Sequence, residues 1–163
     1  MTIDILTLFP EMMDVVLGES IIGRAQQKGI VKITSHNIRD FSTDKHRRVD
    51  DYPYGGGKGM VMQPEPIYNA YLSIAQRCEK KPFVIYMSPQ GRVLNQALAI
   101  ELSKLEHIII LCGHYEGVDE RIIEEIVDME VSIGDYVLTG GEIPAMALCD
   151  CVCRLVPGVL SSE

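Results

Sequence analysis

The sequence predicts an α/β domain with a mostly parallel sheet flanked by helices, and three observations carry the prediction. Short apolar runs alternate along the chain with segments whose apolar residues recur at helical spacing. One run, His107-Ile108-Ile109-Ile110-Leu111-Cys112, is apolar almost throughout, as a strand covered on both faces in the middle of a parallel sheet should be. The length of 163 residues, with 47% hydrophobic and 23% charged residues, suits one globular domain able to bury a core.

Taken in order, Ile3-Asp4-Ile5-Leu6-Thr7-Leu8 reads as a strand that Phe9-Pro10 ends. Pro10 opens a short helix reaching Leu17, because a proline in the first turn gives up only a donor that has no helical partner. Ser20 is placed to cap a second helix carrying Ile21, Ile22 and Ala25, which Gly29 stops. Val31-Lys32-Ile33-Thr34-Ser35-His36 alternates like a strand, and a polar stretch follows from Arg39 to Gly59. Pro64 and Pro66 introduce a helix with Ile67, Ala70, Tyr71 and Ile74 on one face. Phe83-Val84-Ile85-Tyr86-Met87 is a strand bounded by Ser88-Pro89-Gln90-Gly91, after which Leu94, Leu98, Leu102 and Leu105 recur at helical spacing. Beyond the His107 to Cys112 strand, Asp119 caps a helix through Val127. Pro144 starts the last helix, which carries Ala147, Leu148, Cys151, Val152 and Leu155.

With 15 Lys and Arg against 23 Asp and Glu, the chain has a net charge of −8. No stretch approaches the roughly 20 apolar residues of a membrane helix. The start, Met1-Thr2-Ile3-Asp4-Ile5-Leu6, lacks the basic region and cleavage site of a signal peptide, so the expected location is cytoplasmic. The five cysteines do not suggest a disulfide framework or a zinc site. In a helix Cys149 and Cys153 share a face while Cys151 points elsewhere, so the three read as small buried hydrophobes in a reducing compartment. His36, His46, His107 and His114 form no recognisable ligand set, and no metal site is expected from them. His107, at the head of a buried strand, reads as a satisfied core residue.

Glycine gathers at three places where strands should end: Ser88-Pro89-Gln90-Gly91, Gly113-His114-Tyr115-Glu116-Gly117, and the segment from Ser132 to Gly141. Open α/β sheets bind ligands at such ends, and glycines let the backbone approach a flat polar molecule closely. Each loop taken singly is a turn; the case rests on all three lying at strand ends. No G-x-G-x-x-G follows the first strand. The run Gly55-Gly56-Gly57-Lys58-Gly59 imitates a phosphate loop only superficially, because Gly59 stands where Ser or Thr should bind magnesium. A Rossmann dehydrogenase and a P-loop NTPase are thereby disfavoured.

Arg39, Lys45, His46, Arg47, Arg48 and Lys58 form a basic patch in an otherwise acidic chain, as phosphate contact requires. A solvated loop neutralised by Asp40, Asp44, Asp50 and Asp51 explains the same charges. Tyr52 and Tyr54, beside the glycines, add the option of stacking on an unpaired base.

Several long motifs, in order, resemble the bacterial tRNA (guanine-N1)-methyltransferases of the SPOUT superfamily across essentially all 163 residues. They are Leu8-Phe9-Pro10-Glu11-Met12, the run from Asp51 through Tyr54-Gly55-Gly56-Gly57-Lys58 to Met62, Ser88-Pro89-Gln90-Gly91, the run from Cys112 to Arg121, and that from Ser132 to Glu142. The resemblance implies a deep trefoil knot in the C-terminal half and S-adenosylmethionine bound bent inside it. It places backbone contacts to that cofactor at Tyr86, Ser88, Pro89, Gly113, Ile133, Gly134, Tyr136, Leu138, Gly140 and Gly141, with Glu116, Ser132, Asp135, Val137 and Pro144 completing the site. Glu116 would lie near the methyl donor and the target base. The family works as a homodimer with the active site between subunits, so His46, Arg48, Asp50, Lys58 and Arg154 would face the tRNA and the partner chain. Family analogy also suggests magnesium, for which Asp50 and Asp51 are weak grounds.

The implied reaction has clear requirements. A sulfonium methyl is already electrophilic, whereas guanine N1 is a poor nucleophile until its proton leaves, so a base is needed near N1 and a positive group near O6. Arg154 suits the second role, its alternative being a surface arginine that caps the last helix. Members of the family continue through a linker carrying the aspartate that acts as general base and then a helical domain that grips tRNA. Neither Asp150 nor Glu163 matches that aspartate. The expectation is therefore that residues 1–163 are a cofactor-binding, dimer-forming domain that methylates tRNA poorly by itself. The rivals are a non-catalytic module binding S-adenosylmethionine or RNA, and a flavodoxin-like nucleotide binder.

Overall fold

The structure, a computed structural model, describes residues 1–53 and 55–161. Tyr54, named above for stacking, and Glu163 lie outside the described residues. The chain runs through β1 (Thr2–Thr7), α1 (Pro10–Leu17), α2 (Ser20–Gln27), β2 (Lys32–Asn37), a 3-10 turn (Ile38–Phe41), β3 (Asp50–Asp51) and β4 (Val61–Met62). It continues with α3 (Pro64–Ala75), β5 (Phe83–Val93), α4 (Gln96–Ser103), β6 (His107–Leu111), α5 (Glu120–Ile126), β7 (Met129–Ser132) and α6 (Glu142–Cys153).

Five strands form one sheet in the order β2-β1-β6-β5-β7, and every pairing in it is parallel. The apolar run singled out in the sequence is thus the central strand. Its residues Ile108, Ile109, Ile110 and Leu111 are no more than 1% exposed. Alternation divides the core between the two faces. Ile3, Ile5, Ile85, Ile108 and Ile110 meet α1, α2, α4 and α6 on one side, and Leu6, Val84, Ile109 and Leu111 meet α3 and α5 on the other. Burying each such side chain contributes about 1.5–3 kcal/mol. Ile67, Ala70, Tyr71 and Ile74 are the buried face of α3, and Asp119 caps α5 by accepting from the Arg121 N–H, both as the sequence predicts. Among the described residues, no helix is long and apolar enough to cross a membrane.

Several local expectations are corrected. Ser20 is not a cap: Glu19 holds that position without a side-chain bond. With α1 and α2 separated by only Gly18 and Glu19, the chain reverses through a positive φ of 55° at Ser20. The strand expected to end at Met87 continues to Val93. Both Met87 and Arg92 face Val131 of β7, so the residues between them bulge out of the ladder. Leu94 and Leu105 flank α4 instead of lying in it, and still pack on its core. The last helix begins at Glu142, so Pro144 lies inside its first turn, and the buried face is Ala145, Leu148, Cys149, Val152 and Cys153. Ala147 is exposed and Cys151 only partly buried. Burial pushes the Cys112 and Cys149 thiols well up and the Cys153 thiol to about 11. The short strands β3 and β4, an antiparallel pair, were not anticipated.

His107 is satisfied, in a cluster that the sequence does not reveal. Its Nε2 lies 2.6 Å from one oxygen of Asp4, and Nε2 of His36 lies 2.7 Å from the other. Burial alone would raise the Asp4 carboxyl, but the hydrogen bonds from both histidines outweigh it and hold the group below its ordinary value of 3.8. A carboxyl lowered by folding stabilises the fold above its unfolded value and loses that contribution as pH falls through the folded one. Asp4→Asn should therefore cost about 2 kcal/mol in urea unfolding at pH 7. The gap should shrink on acidification below about pH 4, and a gap unchanged down to pH 3 would refute the assignment.

Candidate functional site

Because β5, β6 and β7 are parallel, the segments after Met87, Leu111 and Ser132 emerge on one edge of the sheet. They enclose a cavity of about 610 Å³, within the range of small-molecule sites. Tyr86 lines it from the regular ladder of β5, Ser88 and Pro89 from the bulge, Gly113, His114, Tyr115, Glu116 and Gly117 from the β6 turn, and Ser132 through Gly141 with Pro144 from the last segment.

Close backbone approach holds these segments together. The Gly141 N–H donates to Gly113 O at 3.0 Å, joining the third segment to the second. A Cβ on Gly141 would lie 2.9 Å from the Cys112 Cα, and one on Gly91 would lie 2.5 Å from the backbone of β7. These glycines are needed for proximity and not for a left-handed φ. Ser132 Oγ accepts from the Gly134 N–H at 3.1 Å and donates to its carbonyl at 2.9 Å, closing the turn after β7. The second segment is laced to the chain before α3: Glu116 N–H donates to Met60 O and Met62 N–H to Gly117 O, each at 2.9 Å. Burial raises the Tyr86 hydroxyl, so this ring serves the cavity as a neutral wall.

The cavity is acidic. Glu116, Glu120, Glu130 and Asp135 lie in its lining, and among the described residues no Lys or Arg does. Such a lining attracts a cationic ligand and repels phosphate. At its rim Arg39 Nη2 donates to the Tyr115 hydroxyl at 3.4 Å, where Tyr115 adopts a positive φ of 61°.

Every residue expected at the cofactor lines this one cavity, Glu116 among them. The residues expected at tRNA do not. His46, Arg48 and Lys58 are exposed on the segment before α3, and Asp50 belongs to β3. Arg48 pairs with Asp44 at 3.2 Å and its hydrogen bonds hold that carboxyl at about 2, while Arg47 pairs with Asp40. The self-neutralised loop weighed in the sequence is thus part of the picture. Arg154 is the C-cap of α6, whose first turn borders the cavity. It stands roughly 17 Å away along the helix axis, so a single chain does not bring it to the cavity. Sequence reasoning missed Thr7 and Glu142, a buried pair behind His114 whose hydroxyl and carboxyl lie 3.2 Å apart. The one available signal was an acidic residue directly after Gly140-Gly141 at the head of an apolar helix.

The sequence model of the tRNA (Guanine-1)-methyltransferase TrmD family matches residues 1–163. The chain belongs to this family. A tRNA (guanine-N(1)-)-methyltransferase of Ruminiclostridium cellulolyticum is 66% identical over 163 residues, covering the whole chain and 70% of that protein. Its counterpart from Carboxydothermus hydrogenoformans is 60% identical over the whole chain and 63% of its own length. The crystal structure of tRNA (m1G37) methyltransferase from Aquifex aeolicus matches with a TM-score of 0.91 at 47% identity, over 100% of this chain and 73% of that one. The family domain described here therefore spans about two thirds of the length of such relatives.

The close approach at Gly141 gives a direct check. Gly141→Ala places a methyl against the Cys112 backbone and should destabilise the chain by about 1–3 kcal/mol, read as a lower urea midpoint. An unchanged midpoint would mean that the second and third segments are not clamped as described.

Proposed function

We propose that this chain is the cofactor-binding, dimer-forming part of an enzyme that methylates N1 of guanosine 37, beside the anticodon, in tRNA. The methyl donor is S-adenosylmethionine and the product S-adenosylhomocysteine. The observation that carries the reading is a cavity of three glycine segments at parallel strand ends, acidic and, among the described residues, without Lys or Arg. A flat adenosine with a sulfonium and an ammonium suits that lining, whereas the phosphates of ATP or a flavin nucleotide do not. Membership of the family and the name of the Aquifex aeolicus structure supply the acceptor.

Bound there, the donor supplies an electrophilic methyl group. The backbone of Gly113, Gly134, Gly140 and Gly141 lets it approach closely, and Tyr86, Ser88 and Pro89 close one side. Glu116, exposed at the mouth, is placed to meet the target base. A guanine paired in a helix hides N1, so the substrate is a loop base that can be splayed out. Arg154 donates to guanine O6 as negative charge develops there, and for that it must come from a second copy, since it stands roughly 17 Å from its own cavity. An apolar surface of Phe9, Met12, Val15 and Val16 around α1, with Ile143 beside it, gives that copy a place to dock. His46, Arg48, Asp50 and Lys58 then face the tRNA. The return of the chain from edge strand β7 to Gly113 is the kind of path a trefoil knot needs, and supports that topology. Magnesium, which family analogy suggests, would fall to Asp50 and Asp51; among the described residues there is no cluster of three metal-ligating side chains. The work is cytoplasmic, where tRNA is.

Calorimetric titration with S-adenosylmethionine should show about one site per chain, with ATP and flavin mononucleotide silent. Gly134→Val, which drives a side chain toward Tyr136, should abolish binding. Binding of either control in place of S-adenosylmethionine would overturn the reading. Residues 1–163 alone should methylate tRNA at least a hundredfold more slowly than a longer relative; comparable turnover would show that nothing beyond them is needed.

A further inference from the structure

Behind the cavity lies a polar cluster to which the reaction above assigns no part. Glu142, the first residue of α6, is 3% exposed. Nε2 of His114 lies 2.7 Å from one of its oxygens and 2.9 Å from the other, so the ring donates to both and its tautomer is set. The Thr7 hydroxyl donates to the first oxygen at 3.2 Å and accepts from the Phe9 N–H at 3.0 Å. The imidazole also meets the third glycine segment: a Cβ on Gly140 would overlap the ring at Nε2 and Cε1, beside the nitrogen that faces Glu142. The Phe9 ring, centred 5.0 Å away, packs on the same imidazole.

We infer that Glu142 and His114 are a positioning pair for the methyl donor. The carboxyl group holds the imidazole as a flat support for Gly140, and the support keeps the second and third glycine segments at the spacing the donor requires. Neither packing nor the start of the helix requires a buried carboxyl at this point. A helix start facing solvent would hold Glu142 as well, and an apolar residue would fill the same space without a partner. Burial is tolerated because the ring and the Thr7 hydroxyl satisfy the carboxyl oxygens. The pair also ties the donor cavity to β1 and to Phe9 on the apolar α1 surface. The inference rests on the proposed donor for its affinity readout only; the geometry it describes exists without a ligand.

The experiment compares Glu142→Gln, Glu142→Leu, His114→Gln, His114→Ala and Gly140→Ala in the 163-residue chain. Each is read twice: by calorimetric affinity for S-adenosylmethionine, and by exchange of the Gly141 amide hydrogen in the free protein. The two glutamine variants keep a hydrogen bond between positions 114 and 142 and should hold affinity and exchange within about threefold of the unchanged chain. The leucine and alanine variants at these positions should lose at least tenfold in affinity and exchange at least tenfold faster. Gly140→Ala, whose methyl would overlap the ring, should do the same; His114→Ala decides the matter if Glu142→Leu fails to fold, and Glu142→Leu decides it if His114→Ala does. Full affinity in any folded Leu or Ala variant, or equal losses in the glutamine variants, would overturn the inference. If the unchanged chain does not bind S-adenosylmethionine, the proposed donor is wrong, and Gly141 exchange still decides the pair.

Discussion

In a parallel sheet all strands finish at the same edge, so the hydrogen bonds that hold β6 between β1 and β5 also decide where the turns after β5, β6 and β7 meet. The constraint is strict because β6 is buried on both faces, and a slip of one residue would exchange its two isoleucine rows. The ladder to β1 extends one bond past the strand, Cys112 N–H to Leu6 O at 2.9 Å, so the turn at Gly113 leaves the sheet at a defined height. Gly141 then bonds to Gly113, and the segment between β7 and α6 has its end position set by the centre of the sheet. Core packing and site geometry are here one problem.

What was legible in the sequence is what depends on local pattern. The run from Ile108 to Cys112 marks the central strand because a half-exposed strand is not apolar at five consecutive positions, and the i, i+3, i+4 set on α3 marks its buried face. The three glycine segments could be grouped because each lies where a strand should end, although only the first two follow an apolar run. The errors share a different origin. In α6 the buried first residue, Glu142, reaches His114, 28 residues earlier, and Pro144 does not mark the start of the helix. The Asp4 cluster joins residues 103 positions apart. The bulge in β5 exists because β7 pairs with both of its ends. In each case the deciding partner is remote in sequence, and periodicity carries no information about it.

Charge explains why the candidate site reads as two unequal halves. The cavity is lined from one chain and acidic, which suits a cationic ligand and leaves it a poor place for a polyanion. The basic residues lie apart, on the segment before α3 and at the end of α6, and some already pair with Asp40 and Asp44. An RNA approaching this chain gains at those groups and loses at the cavity mouth. The proposed reaction resolves the conflict by bringing acceptor-side groups from a second copy, so only a single splayed base has to enter the acidic region.

The glycines of the site differ in what they require, and the difference bears on how firmly the cavity is built. Gly55, Gly56 and Gly59 have φ of 89°, 93° and 91°, values that other residues reach only with strain, on a segment that lies outside the cavity lining. Gly91, Gly140 and Gly141 carry no such angle and are instead pressed against backbone or against an imidazole. A turn glycine can shift at little cost as its loop bends, whereas a glycine in contact on its Cα face is held by whatever it touches. Two of the three contacts run to the ladder of β7 and to the Cys112 backbone, which are parts of the sheet or its direct continuation. The third runs to a side chain, and that side chain is held by a buried carboxyl. The wall at Gly140 is therefore as firm as the bond between His114 and Glu142, and a change in that hydrogen bonding, without any change in the sheet, would move it.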